Sequence, residues 1–274
     1  MSYDATARLL AAERYERELV PAAFAESARE LADAARVDRG HRVLDVACGT
    51  GVVARECSGR IGAEGSVVGI DISGEMLDVA RRTAPGIHWV EGDAAALPFP
   101  DSSFDRVLCQ FALMFFSENT RSVAEMWRTL SDKGRLAVSV SGRLEDSPVN
   151  LGLAELVRRQ VGEKGLTVVR SVYALGDTND IEETFASAGV EEISVDTQWG
   201  LTRSPSVEAF VETEIRSWAP LSELFDDQVL EKLVEEARGE LAFSIADDGA
   251  VEFISPAHII TAAKSSARHA RGCS

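Results

Sequence analysis

Lysine is nearly missing from this sequence. Lys133, Lys164, Lys232 and Lys264 are the only four, so arginine supplies most of the 28 basic side chains. Against them stand 45 acidic residues, for a formal net charge of −17. A chain with that balance and no dense Lys/Arg run does not draw in a phosphate backbone, which excludes nucleic acid as an expected partner. Cysteine is scarce too. Cys48, Cys57, Cys109 and Cys273 form no Cys-x-x-Cys pair, so free thiols in a reducing cytoplasm are expected rather than a disulfide framework. No His/Cys cluster suggests a metal. No apolar run reaches about 18 residues, so no membrane-spanning helix is expected. The opening MSYDATARLL lacks a basic stretch followed by an apolar core, so no secretory signal is read there.

What is present is ordinary for a globular chain: 274 residues, 45% hydrophobic and 27% charged. That length implies one large domain or a domain with a cap, and it buries enough surface to need no covalent staple. Residues 5–36 carry Ala, Glu, Arg and Leu at helical spacing, with Pro21 expected to break or start a helix. The pattern then changes. RVLDVA (42–47), SVVGIDI (66–72), IHWVEGD (87–93), FDRVLCQFAL (104–113) and GRLAVSV (134–140) read as strands. Helices are expected between them at 52–60, after the N-cap Ser73, and at 118–130. Strands alternating with helices imply right-handed βαβ units and a mostly parallel sheet. Beyond residue 140, helices are expected at 151–160, 180–189, 205–218 and 226–243, with strands at 191–202 and 251–264. The residues past 265 read as a disordered tail.

The strongest chemical signal is VLDVACGTG, Val43 to Gly51. Gly49, Gly51 and Ala54 satisfy GxGxxG/A, a pattern that first suggests a dinucleotide. Asp71 follows Gly51 by 20 residues, at a strand end where a carboxylate accepts both hydroxyls of a ribose. Asp45 lies four residues before Gly49. An anion there suits an ammonium or sulfonium group better than a pyrophosphate, and the following helix N-terminus suits a single carboxylate. Asp93 closes the third strand, where it can accept a hydrogen bond from an adenine amine.

Together these segments resemble the class I S-adenosylmethionine-dependent methyltransferases, in the ubiquinone-biosynthesis-like group of small-molecule enzymes. VLDVACGTG is similar to the family's glycine motif, VVGIDIS to its ribose motif and GDAAALPF to its adenine motif. FDRVLCQFALMFF with AEMWRTL resembles the fourth strand and next helix, and LSDKGRLAVSV the fifth strand. Asp132-Lys133-Gly134 departs from the usual Pro-Gly-Gly, which alters a turn. The resemblance is specific over residues 40–140 and looser elsewhere. It implies an α/β fold: a doubly wound, mostly parallel seven-stranded Rossmann-like sheet with its last strand antiparallel, N-terminal helices and a helical cap. It implies S-adenosylmethionine as cofactor. Asp45 and Gly49 would then flank the methionine portion, with Gly51 closing the glycine turn. Asp71 would hold the ribose, Ile72 and Met76 would pack near adenine, and Asp93 and Ala94 would bind its edge. Gln110 would face the methionine or the methyl group, and Tyr15 would touch the cofactor carboxylate. Met114, Phe115 and Phe116 read as core or as pocket lining.

The expected organisation is an N-terminal helical segment (1–40), a cofactor-binding core (41–141), the rest of the sheet with a substrate cap (142–264), and the tail (265–274). Ligands bind beyond the carboxyl ends of parallel strands, and the segments 141–180 and 203–250 start from that side, so both would cap the cofactor. Methyl transfer is an in-line displacement that gains from positioning and exclusion of water, and an acidic acceptor hydroxyl would also need a base. His258 is the best placed of the four histidines, ahead of His41, His88 and His269, and Asp177 and Glu214 are further possibilities. The sequence lacks the Asn-Pro-Pro-Tyr motif of amine-methylating nucleic-acid and protein enzymes. It also lacks the clustered carboxylates of a magnesium-dependent catechol enzyme. The expected reaction is therefore methyl transfer to a small-molecule acceptor, with the oligomeric state open. The alternatives are cyclisation, decarboxylation or isomerisation on the same cofactor fold, a non-catalytic cofactor-binding partner, and an NAD-dependent oxidoreductase, which Asp45 disfavours.

Overall fold

The computed structural model describes residues 3–216 and 218–265, so most of the expected tail, with His269 and Cys273, lies outside the described residues. Seven strands form one sheet in the order β3-β2-β1-β4-β5-β7-β6. They are β1 (Arg42–Val46), β2 (Ser66–Asp71), β3 (His88–Glu91), β4 (Phe104–Gln110), β5 (Leu130–Ser141), β6 (Ser194–Ser204) and β7 (Val251–Ala263). The first five pair in parallel, and β7 runs antiparallel between β5 and β6. In β1 every residue from Val43 to Val46 is buried, as expected of a strand covered on both faces.

The chain opens with α1 (Tyr3–Arg14), a π-helical segment (Tyr15–Phe24) and α2 (Ala25–Ala34). Pro21 breaks nothing; it sits inside the π-helical turn, where the wider ladder accommodates the missing N–H. Helices α3 (Val52–Ile61) and α4 (Gly74–Thr83) pack with α2 on one face of the sheet, through Leu31, Val53, Cys57 and Leu77. Helices α5 (Asn119–Thr129) and α7 (Thr178–Ser187) cover the other face, through Val123, Met126, Ile181 and Phe185.

Several boundaries differ from the sequence reading. β4 stops at Gln110 because Phe111 turns the chain with φ +46, and Leu113–Phe115 is a 3₁₀ turn. β5 starts at Leu130, four residues early. Residues 131–134 bulge out, with Lys133 at φ +64, between the pairs Phe104↔Leu130 and Arg106↔Arg135. Helix α6 (Pro148–Ser171) is longer than expected and kinks at Gly162, where φ is +73. The cap helices are α8 (Val207–Arg216), the short α9 (Ala219–Ser222) and α10 (Asp227–Glu240).

Strand length positions this second layer. β5 ends at Ser141, opposite Ala257, so within the sheet residues 251–256 of β7 pair with Trp199–Ser204 of β6 and no longer with β5. This two-stranded ribbon overhangs the carboxyl edge of the sheet. The Phe253 ring meets Phe210 of α8 at 5.4 Å, and Val251 joins Leu153, Leu156, Val211 and Leu233 in a separate apolar cluster.

Candidate active site

The glycine turn between β1 and α3 is held from three sides. Cys48 donates its backbone N–H to Ile70 O at 3.0 Å, and Gly51 to Cys48 O at 2.8 Å. Gly49 donates to Asp71 Oδ2 at 2.7 Å. The two glycines have different causes. Gly51 has φ +89, and a Cβ there would lie 2.2 Å from Trp89 Cη2, so its smallness answers to core packing. Gly49 has φ +53 and open space above it, so a ligand can approach its backbone.

Asp45 is 1% exposed at the end of β1, and its Oδ2 accepts from Ala54 N–H at 2.9 Å in the first turn of α3. Burial pushes its carboxyl up to about 8, with the Asp71 charge adding to the rise and the Ala54 bond opposing it. Asp71 is held between Gly49 and the Ser73 N–H (2.8 Å), and burial raises it as well. Ser73 caps α4 by accepting from Met76 N–H at 3.2 Å. Asp93 accepts from Ala95 N–H at 2.8 Å through Oδ1.

Asp71, Ile72, Asp93 and Ala94 line one cleft of about 170 Å³ beyond β2 and β3. Ile72 is 72% exposed there. Sequence reasoning left Phe115 and Phe116 open between core and lining; they line this cleft, with Glu118 and Ser122. Met76 is half-buried on α4 and does not line it.

The π-helical segment closes the other side of the glycine turn. Burial raises the Tyr15 hydroxyl, and the charges of Asp71, Glu16 and Asp45 add to the rise. Its ring stacks on Phe24 at 5.4 Å, and Phe24 meets Phe111 at 5.8 Å. Gln110 reaches the site but is engaged, donating Nε2 to Phe24 O at 3.1 Å. Arg55 carried no sequence signal, yet it ties the parts together: Nη1 donates to Thr50 O at 2.6 Å and Nη2 to Glu16 Oε1 at 2.8 Å. Two buried atoms beside the turn, Thr50 Oγ1 and Glu16 Oε2, have no hydrogen-bond partner.

His258 lies apart from this group. It is buried in β7, with Nδ1 on Thr197 Oγ1 at 2.9 Å and Nε2 on Gly176 O at 3.1 Å. Both ring nitrogens are used within the protein, which leaves neither for a substrate proton.

A nucleoside-sized cleft, a glycine turn with unpartnered polar atoms and two strand-end carboxylates define a doubly wound protein built for an adenosyl ligand. The comparisons agree. Residues 43–134 match the family model described as "Methyltransferase domain". The chain is 44% identical to demethylmenaquinone methyltransferase of Deinococcus radiodurans over 43% of its length and 48% of the relative's. It is 36% identical to the ubiquinone/menaquinone biosynthesis C-methyltransferase UbiE of Erwinia tasmaniensis, over 58% of this chain and 70% of that one. The YcgJ protein of Bacillus subtilis shares the fold, with a TM-score of 0.60 at 23% identity over 88% of this chain and 99% of the other. The chain thus spans about half the length of the first of these relatives and more of the second. It belongs to the class I S-adenosylmethionine-dependent methyltransferases, in their ubiquinone-biosynthesis-like group.

Proposed function

We propose that this chain moves the methyl group of S-adenosylmethionine onto an apolar small-molecule acceptor held beneath the helical cap. The cleft shared by Asp71, Ile72, Asp93 and Ala94 carries the reading, because it offers a ribose acceptor, a ring platform and an adenine-edge acceptor in one place. The cofactor supplies an activated methyl group on sulfur. Asp71 accepts from the ribose hydroxyls, exchanging part of its bonding to Gly49 and Ser73. Ile72 and Phe115 flank the adenine. Asp93 uses its Oδ2, the oxygen not bonded to Ala95. Asp45 sits where a cationic group meets an anion. Thr50 Oγ1 and the Gly49 backbone are free to meet the methionine end, under Tyr15.

We place the acceptor between this cleft and the apolar cluster of α6, α8 and α10, a setting that suits an aromatic, quinone-like or lipid-like molecule. The names of the two relatives, both quinone methyltransferases, support that class. We place the reaction in the cytoplasm, where the buried thiols Cys48, Cys57 and Cys109 stay reduced; among the described residues no helix is long and apolar enough to cross a membrane. Calorimetric titration with S-adenosylhomocysteine tests the reading. Micromolar binding that Asp71→Ala weakens at least tenfold is expected. No binding at high micromolar concentration, with Asp71→Ala behaving as wild type, sinks it.

A further inference from the structure

Many acids of the cap are matched with arginines. Glu208 pairs with Arg238, Asp227 with Arg216, Glu155 with Arg158, and both Glu236 and Glu240 with Arg159. Among the described residues, the cap acids outside such pairs that are exposed include Glu212, Glu223, Glu231 and Glu235, whereas the unpaired Glu214 is half-buried. It lies on α8 one turn after the buried Phe210, between the fully buried Val211 and Ile215, yet it makes no hydrogen bond or ion pair among the described residues. A half-buried carboxylate on an apolar helix face, with no partner, is costly unless it faces something polar that binds there.

Its surroundings point to the acceptor space. Just past α8, the Trp218 ring meets Phe115 at 5.4 Å, and Phe115 lines the adenosyl cleft. Tyr173, whose hydroxyl feels the Glu214 charge, sits in the loop between α6 and α7. That loop is pinned over the end of β5. A Cβ on Gly176 would lie 2.6 Å from Gly142 O, and Gly176 O takes the His258 bond. Tyr173 thus lies within reach of the Glu214 charge, in a loop over the carboxyl end of β5, and Trp218, just past the helix that carries Glu214, is one ring contact from the cofactor cleft.

We propose that Glu214, with Tyr173 beside it, forms the acceptor-binding base of this enzyme, and that the acceptor carries an acidic hydroxyl, a phenol or enol. The inference rests on the methyltransferase reading above. The acceptor O–H bond breaks and its proton goes to a Glu214 oxygen. The electron pair left on the acceptor forms the new bond to the methyl carbon, and the sulfur–methyl bond breaks with its pair going to sulfur. Burial pushes Glu214 up to about 7 with no cation near it, which suits a proton acceptor at neutral pH.

The test uses the full chain and 2-naphthol as the phenolic probe. Naphthol is titrated calorimetrically into protein loaded with S-adenosylhomocysteine, and labelled methyl transfer from S-adenosylmethionine to naphthol is followed in parallel. Glu214→Gln should keep S-adenosylhomocysteine affinity within about twofold, weaken naphthol about tenfold and cut kcat about 100-fold. Glu214→Asp should recover part of that loss. Wild-type naphthol binding and wild-type turnover in Glu214→Gln overturn the proposal. If that variant does not fold, Glu214→Asp and Tyr173→Phe carry the comparison, and unchanged naphthol binding in both overturns it. A wild type that binds S-adenosylhomocysteine but no naphthol at millimolar concentration overturns the acceptor class. A wild type that binds naphthol yet transfers no methyl group to any acceptor overturns the methyltransferase reading, and the binding arm alone then decides the role of Glu214.

Discussion

At Asp45 the folded chain and the bound cofactor make opposite demands. Burial raises the carboxyl to about 8, against an ordinary value near 4. The folded state therefore holds a proton that the unfolded chain releases. The stability from this group is fully present below about pH 4 and is lost as pH rises to about 8. A cationic ligand beside Asp45 needs the carboxylate, so binding below pH 8 must expel that proton. S-adenosylmethionine affinity should rise between pH 6 and pH 8, by at most about tenfold per pH unit, and flatten above it. Calorimetry in buffers of different ionisation enthalpy measures the released proton directly. Flat affinity with no proton release refutes the coupling, and Asp45→Asn should abolish it. The two turn glycines separate in the same way. Gly51→Ala must push Trp89 aside at a left-handed φ and should cost about 2–4 kcal/mol in urea denaturation. Gly49→Ala meets nothing in the folded chain, so it should cost about 1–2 kcal/mol of stability but block ligand approach. Its S-adenosylhomocysteine affinity should fall further than its stability does.

Among the elements, those with a strong period and a clear stop were legible, and those set by distant partners were not. β1, β2 and α4 fall within a residue or two of the reading, because apolar runs end in glycine, Asp71 and the Ser73 cap. The early start of β5 was hidden because Asp132-Lys133-Gly134 looks like a turn, and only the register with β4 turns it into a bulge. The π-helical stretch at 15–24 was illegible for a similar reason. Its composition is that of an α-helix, and its form is fixed by contacts made far along the chain: Arg55 on Glu16, Gln110 on Phe24, and the Phe111 ring. Glu214 was one of several possible bases in the sequence, with nothing to single it out, since its lack of a partner exists only in three dimensions. If the Arg55 link holds the π-helical segment over the glycine turn, Arg55→Ala should speed amide exchange across residues 15–24 at least tenfold while leaving exchange in β1 and β4 unchanged. Equal acceleration throughout, or none, would refute that assignment.

For the whole molecule, the mostly parallel seven-stranded sheet and its antiparallel last strand followed from the alternating pattern together with the family resemblance. The overhanging ribbon that carries the cap did not, because it depends on β6 and β7 outrunning β5. The net charge of −17 also acts at this scale. Its self-repulsion opposes the compact state, while the ion pairs favour it. Most of the pairs are exposed, as at Arg42–Asp105 and Arg203–Glu252, and such pairs contribute only about 0–1 kcal/mol each. Salt screens both effects. The repulsion is long-ranged and summed over the surface, so it loses more when the Debye length shrinks from about 30 Å at 10 mM to about 8 Å at 150 mM. The midpoint of thermal unfolding should therefore rise by a few degrees when sodium chloride is added over that range. Sodium and potassium chloride should act alike, since screening depends on charge rather than ion identity. A midpoint that falls instead would mean the arginine–carboxylate pairs outweigh the net charge. Variants that remove the partly shielded Arg128–Glu125 and Arg60–Glu56 pairs should then flatten the salt dependence.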